Sequence, residues 1–214
     1  MIKFLEKLLN WIYIERCYFC HDDKEGKRLC SKCKSGIISL PAQPSYVLMG
    51  CNIYSCTMYE GTMRELIKRV KYKHDKKLAV EQAEFMAKYW KKLGFFENFY
   101  VVPVPQHKKR IKERHGNHMD SVGEEFCSYF GYKLLPDFVV RVKETKPQYS
   151  LTKEEREKNL KDAFEVDESK LEDKSSPILI IDDIKTTGAT LTEMILTLQK
   201  SGYTNIKALT TART

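Results

Sequence analysis

One stretch, residues 178–190 with the sequence ILIIDDIKTTGAT, constrains the fold of this chain more than any other. It opens with four branched apolar residues, a run typical of a strand buried on both faces of a parallel sheet that helices cover. Asp182 and Asp183 follow, where such a strand is expected to leave the sheet, and residues 191–200 are predicted to form an amphipathic helix. The stretch therefore predicts an α/β domain with a ligand at the end of this strand.

The loop between the acids and the helix has the features of an anion site. Gly188 has no side chain, hydroxyl residues flank it, and a helix N-terminus follows, so backbone N–H groups can face a phosphate. The Walker pattern is absent, and two adjacent carboxylates suit the 2′- and 3′-hydroxyls of a ribose 5-phosphate. The alternative is an ordinary strand-to-helix turn in which Asp and Thr serve as cap residues.

The same stretch resembles the phosphoribosyl pyrophosphate (PRPP) signature of type I phosphoribosyltransferases. The resemblance implies that Asp182 and Asp183 hold the ribose diol while the loop holds the 5′-phosphate. The implied phosphate-loop residues are Thr186, Thr187, Gly188, Ala189 and Thr190.

Two Cys-x-x-Cys pairs, separated by nine residues, lie near the start of the chain. They consist of Cys17, Cys20, Cys30 and Cys33. Each pair can give two thiolates to one tetrahedral Zn²⁺, and a piece this small needs a metal in order to fold. A redox dithiol and a pair of disulfides are the alternatives. The remaining cysteines lack paired spacing and are predicted to be small buried hydrophobes; they are Cys51, Cys56 and Cys127.

Pro41 and Pro44, with polar residues around them, predict a linker and a boundary near residue 44. Residues 1–43 would comprise an N-terminal helix and the four-cysteine zinc-binding module, and residues 44–214 the main domain. The helix is predicted from apolar residues at helical spacing, with membrane contact as the weaker interpretation.

The chain carries 37 basic and 29 acidic residues, a net charge of +8 that favours a polyanionic partner or substrate. Basic residues concentrate in residues 64–77 and 107–114. Most of those in residues 64–77 are expected to form a solvated helix face whose lysine stems cover apolar surface, and we expect any single-stranded nucleic acid to bind these two segments through its phosphates. No apolar run approaches the roughly 20 residues that cross a bilayer, and charges interrupt the N-terminal apolar segment. A cytoplasmic protein without membrane insertion is therefore predicted.

Two more segments are expected to face the crevice beside Asp182. One is a helix end, and the other is a basic loop after a predicted strand over residues 99–105, because parallel strands end at one edge of a sheet. The residues expected on this pyrophosphate side are Lys71, Tyr72, Pro105, Gln106, Lys108, Lys109 and Arg110. His115 and His118 are expected to be solvated or to face phosphate, with a general base as the alternative.

Taken in order, these segments resemble the ComF family of competence-associated, phosphoribosyltransferase-like proteins. The resemblance covers nearly the whole chain and implies a mostly parallel, twisted sheet with flanking helices and a small N-terminal zinc ribbon held by four cysteines. It also implies a mobile hood that includes Gln148, Arg156 and Asn159. One block departs, because the family usually has Arg-Gly-Phe-Asn-Gln where this chain has Arg114-His115-Gly116-Asn117-His118.

The resemblance implies PRPP bound with Mg²⁺, and a role in DNA uptake with partners such as a DNA-uptake helicase. In an enzyme, Asp182, Asp183 and Lys71 would form the catalytic group, and the basic residues would stabilise charge on the departing pyrophosphate. The acceptor is not identified by any residue. The alternative is a non-catalytic protein that handles single-stranded DNA and uses the phosphoribosyl site as a sensor or for a nucleic-acid sugar-phosphate.

Overall fold

A computed structural model describes residues 15–73, 75–106, 116–143 and 160–214. The helices are α1 (Ser31–Ser35), α2 (Gly61–Lys73), α3 (Lys76–Lys92), α4 (His118–Ser128) and α5 (Ala189–Lys200). The strands are β1 (Tyr46–Leu48), β2 (Cys51–Met58), β3 (Tyr100–Pro103), β4 (Lys133–Leu134), β5 (Val139–Arg141), β6 (Phe164–Val166), β7 (Ile178–Lys185) and β8 (Ile206–Arg213). The predicted N-terminal helix, basic loop after residue 106 and hood fall outside the described residues.

Six strands form one sheet in the order β1-β2-β8-β7-β3-β4. All neighbouring pairs run parallel except β1 and β2, which form an antiparallel hairpin. The hairpin turns at Met49 and Gly50, both of which have positive φ. The mostly parallel sheet with flanking helices confirms the predicted fold class.

The central strand β7 is buried on both faces, as its sequence predicts. Leu179 and Ile181 join a core cluster with residues of α2, α3 and α4, whereas Ile178 and Ile180 join a second cluster with residues of α5. Alternate residues of a strand point to opposite faces, so the four residues tie both helical layers to the sheet. This packing places the end of β7 between α2 and α4 on one face and the start of α5 on the other.

Residues 138–142 are also predicted from the sequence to form a strand. The observed strand, β5, lies outside the main sheet and pairs antiparallel with β6 in a separate two-stranded sheet. The edge position beside β3 belongs to the short strand β4. Phe138 and Val139 are instead buried in the cluster beneath α5, together with Phe164 of β6. Burial against α5 accounts for the departure from the sheet edge.

The cysteine-containing module packs directly on the main domain. Leu29 is buried in the same cluster as residues of α2 and α3, and Lys34 forms ion pairs with Glu81, at 2.7 Å, and with Glu84 of α3. The predicted linker is also held, because Tyr89 Oη donates to the carbonyl of Pro41 at 2.9 Å. The boundary near residue 44 stays a prediction.

Among the described helices, none combines the length and the apolar character that a membrane span requires.

Candidate functional site

The acid pair lies inside β7 rather than beyond its end. β8 continues beside β7 as far as the pair Lys185 and Arg213, so the backbone of both acids remains in the sheet. Asp183 is buried, with 5% of its surface exposed, while Asp182 is partly exposed. The backbone N–H of Asp183 donates to Asp182 Oδ1 at 2.9 Å. This contact fixes one oxygen of the Asp182 carboxylate beside the backbone of Asp183.

Two side chains from different helices meet at one oxygen of Asp183. Lys71 Nζ, from the last turn of α2, lies 2.7 Å from Asp183 Oδ2. His118 Nε2, from the first turn of α4, lies 3.0 Å from the same atom. The buried carboxylate is therefore compensated by a cation and an imidazole donor, as a charge removed from water requires.

The electrostatics of the two acids differ sharply. Burial tends to raise the pKa of Asp183, but the charge of Lys71 and the hydrogen bond from His118 outweigh it and hold that pKa well below its usual range. Burial, followed by the adjacent charge of Asp183, raises the pKa of Asp182 well above its usual range. Asp183 is thus the ionised member of the pair, and Asp182 is the member that can take up a proton.

His118 is buried, contrary to the expectation of a solvated or phosphate-facing imidazole. Gln106 Nε2 lies 2.7 Å from His118 Nδ1, so both ring nitrogens are engaged. Sequence reasoning missed this role because it depends on β3, α4 and β7 converging. The available signal was the His at the last position of the block that departs from the family pattern.

The predicted phosphate loop leads from β7 into α5. Gly188 has φ +87°, a left-handed conformation, and α5 begins at the next residue. Ala189 N donates to Thr187 Oγ1 at 3.4 Å, and Lys185 Nζ donates to the carbonyl of Thr186 at 3.2 Å. The loop therefore places the N-terminus of α5 a few residues after the acid pair, and helix N-termini in general favour anions.

The other predicted site residues differ in their surroundings. Tyr72 is exposed at the end of α2, while Pro105 is buried just beyond β3. Gln106 directs its amide toward His118 and Asn117, at 2.7 and 3.1 Å. The remaining predicted site residues lie outside the described residues: Lys108, Lys109, Arg110, Gln148, Arg156 and Asn159.

The four paired cysteines come together in space. Their Sγ atoms all lie within 4.8 Å of one another, and the backbone N–H of Cys30 points to Cys17 Sγ at 3.5 Å. Four thiolates converging in this way match a tetrahedral metal site, so the cluster could hold a metal such as zinc. The three unpaired cysteines are buried, as predicted: Cys51, Cys56 and Cys127.

Comparison with known proteins identifies relatives. No family model matches the chain. Competence protein F of Haemophilus influenzae is 26% identical over 225 residues, which cover 92% of this chain and 96% of that protein. The chain is a homologue of competence protein F.

The chain also matches parts of other relatives, over a shorter length. DNA utilization protein YhgH of Salmonella typhi is 28% identical over 114 residues, 53% of this chain and 49% of that protein. The Escherichia coli O6:H1 protein of the same name is 26% identical over the same lengths. Two solved structures from a study of an invariant aspartic acid in HPRTs, a glutamic acid and an asparagine mutant, have TM-scores of 0.34 and 0.35. They are 16% identical to this chain and cover 69% of it, and the chain covers 67% and 65% of theirs.

A basic cleft of about 430 Å³ lies between the cysteine module and the helices α2 and α3. It is lined by Tyr18, Arg28, Arg69, Lys73, Asp75, Lys76 and Lys77. Arg28 and Lys77 form ion pairs with acidic residues. By contrast, Arg69, Lys73 and Lys76 have no acidic partner among the described residues, and Arg69 stacks over the Tyr18 ring at 4.4 Å. The cleft thus presents uncompensated positive charge beside an aromatic ring.

Proposed function

We propose that this protein binds PRPP together with Mg²⁺ at the carboxyl end of β7 and transfers its phosphoribosyl group to an acceptor. The observation that carries the proposal is the position of the acid pair, directly before a loop whose left-handed Gly188 starts α5. Ligands of open α/β sheets bind at such strand ends. The phosphoribosyltransferase-like main domain over residues 44–214 is part of the same proposal.

Each part of the ligand has a matching part of the site. The 5′-phosphate would accept hydrogen bonds from loop N–H groups and hydroxyls, while Asp182 and Asp183 would accept from the ribose hydroxyls. Lys71, held at the same carboxylate, would stabilise negative charge that builds on the pyrophosphate as its bond to ribose C1 breaks. The predicted cations of residues 108–110 would act on the same group.

Mg²⁺ would be held mainly by ligand oxygens, since it prefers hard oxygen ligands and keeps several of its own waters. When bound, it would neutralise charge on the pyrophosphate. The carboxylates of Asp182 and Asp183 are a donor set that suits this ion. Zinc would occupy the cysteine cluster in a structural role.

The printed names of the relatives, competence protein F and DNA utilization protein, support a role in competence and DNA uptake. We propose that the protein serves DNA uptake in the cytoplasm, where a DNA-uptake helicase is a candidate partner. Its net charge of +8 favours nucleic acid as a second ligand.

Isothermal titration calorimetry with PRPP and Mg²⁺ tests the proposal. Asp183→Asn should weaken binding about ten- to hundredfold, because Asp183 is the ionised member of the pair and hydrogen bonds to charged groups contribute roughly 1.5–3 kcal/mol. Thr187→Val should weaken binding about tenfold for the same reason, while Thr192→Val, inside α5, serves as the matched control. No heat of binding at millimolar PRPP in the wild type would contradict the proposal.

A second function, handling of single-stranded DNA, is favoured by the basic cleft. Three cations without acidic partners among the described residues and a partly exposed aromatic ring are the elements that hold a nucleic-acid backbone without reading bases. This function would operate with or without catalysis at the acid pair. Charge reversal in the cleft, described in the Discussion, tests it independently of PRPP.

A further inference from the structure

We propose that His118 is a positioning residue that makes the site selective for a sugar with a complete vicinal diol. With Lys71 it would fix one oxygen of Asp183 within the protein, so that the other oxygen is aimed at a ribose hydroxyl. The inference rests on the proposed binding of a ribose 5-phosphate and deepens it by naming what sets sugar selectivity.

The first step concerns the protonation of the imidazole. Asn117 caps α4, where its Oδ1 accepts from Met119 N at 3.3 Å, and its Nδ2 donates to Val104 O and to Asp120 Oδ1 at 3.3 and 2.9 Å. These contacts fix the orientation of the Asn117 amide, because each end faces a group of the opposite kind. Asn117 Oδ1 is therefore an acceptor for a further donor.

The second step transfers this orientation to His118. Gln106 Nε2 lies 3.1 Å from Asn117 Oδ1 and 2.7 Å from His118 Nδ1, so the Gln106 amide donates to both. His118 Nδ1 must then accept, which leaves the ring proton on Nε2. That proton is donated to Asp183 Oδ2 at 3.0 Å. The imidazole is thus a fixed donor, engaged at both nitrogens, and cannot also serve as a general base.

The third step concerns the carboxylate. Asp183 Oδ2 receives both His118 and Lys71, so neither of these two donors occupies Oδ1. A lysine has a flexible stem, but the imidazole is rigid and has only 6% of its surface exposed. His118 therefore holds the plane of the carboxylate and leaves Oδ1 to accept from one hydroxyl of the ligand. Such preorganisation strengthens binding only where that hydroxyl is present.

Three sugar phosphates test the proposal by calorimetry: ribose 5-phosphate and its 2-deoxy and 3-deoxy analogues. His118→Leu, which fills the space without a donor, should weaken ribose 5-phosphate about tenfold. It should leave unchanged the one analogue that lacks the hydroxyl held by Asp183. His118→Gln, which keeps an N–H donor, should stay within about twofold of the wild type for all three ligands. Gln106→Met, at a partly exposed position, should change the affinities for the three ligands in the same pattern as His118→Leu. This second variant keeps the test valid if His118→Leu does not fold.

Equal weakening of all three ligands by His118→Leu and Gln106→Met would indicate a structural role and overturn the proposal. Unchanged ribose selectivity in both variants would overturn it too. If the wild type itself binds ribose 5-phosphate no more tightly than inorganic phosphate, the proposed function fails and this inference falls with it. If the wild type prefers ribose 5-phosphate to its deoxy analogues and both variants keep this preference, the inference about His118 fails while the proposed function stands.

Discussion

Lys71 Nζ lies 2.7 Å from Asp183 Oδ2, although 112 positions separate the two residues in the chain. The contact joins the last turn of α2 to the end of β7 and spans the side of the proposed ligand site. Burial works to lower the pKa of Lys71, but the charge of Asp183 raises it, so the ammonium stays charged. The same cation can therefore neutralise the carboxylate and face a ligand phosphate.

Lys71→Met should destabilise the protein at pH 7 by about 3 kcal/mol, because it removes the cation from a buried pair. The lowered pKa of Asp183 stabilises the folded wild type at every pH above about 4, where an ordinary carboxyl group is ionised. This contribution is lost only as the pH falls through the pKa of Asp183 in the folded state. Without the charge of Lys71, the buried Asp183 of the variant can take up a proton at a higher pH. The difference in free energy of unfolding should therefore narrow between pH 7 and pH 4.5, as urea denaturation would measure. A constant difference across that range would contradict the ion-pair account.

Gly188→Ala should weaken ribose 5-phosphate binding in the phosphate loop. An added Cβ would lie 3.2 Å from Leu48 Cδ1, and the φ of +87° is strained for any L side chain. Gly202→Ala, past the other end of α5, is a matched control because its φ is +90° and its nearest contact would be 3.8 Å. Both variants should lose roughly 1–2 kcal/mol of stability, as thermal unfolding would show. Only Gly188→Ala should lose affinity, and equal affinity in the two variants would argue against a phosphate site at the loop.

Purified protein should contain about one Zn²⁺ per chain, measured by plasma emission spectrometry. Cys20→Ser should lower that content strongly, since Cys20 is one of the four converging thiols and is itself exposed, so the change disturbs little packing. Cys127→Ser, at a buried cysteine outside the cluster, should keep the full metal content. Protein purified without metal and with four reactive thiols in the cluster would refute the zinc assignment.

Charge reversal at Lys73 and Lys76 should weaken single-stranded DNA binding and flatten its salt dependence. About five neutralised phosphates predict a log–log salt slope near −3.5 for the wild type, at about 0.7 per phosphate. Changing Lys91 and Lys92 to Glu alters the net charge equally at the far end of α3, away from the cleft. Fluorescence anisotropy at several salt concentrations compares the two double variants. Identical slopes would show that net charge, and not the cleft, governs binding.

The sequence predicts most of the elements that frame the site, because their determinants are local. The run of residues 178–181 identifies the central strand. Asp75 is a typical helix-capping residue, and it caps α3 by accepting from Leu78 N at 3.2 Å. Gly94, with φ +69°, follows the end of that helix. Paired spacing likewise identifies the cysteine cluster. These features depend on periodicity, caps and short spacings, which a single sequence displays.

What the sequence does not reveal depends on contacts between distant segments. Strands of two or three residues, such as β4 and β5, carry too little pattern to assign them to a sheet. The burial of His118 requires α4 and β7 to be adjacent, and its neighbourhood of basic residues suggested solvent instead. The cleft requires Tyr18 and Arg69 to meet, which only the packing of the cysteine module on α2 brings about.

The last turn of α2 faces two places at once. Lys71 points to Asp183, whereas Arg69 and Lys73, each two residues away and so on the opposite side of the helix, line the basic cleft. An anion on either side would draw on the positive potential of the same turn. A sugar phosphate in the crevice and a nucleic-acid strand in the cleft would therefore antagonise each other, and by linkage each would weaken the other by the same factor.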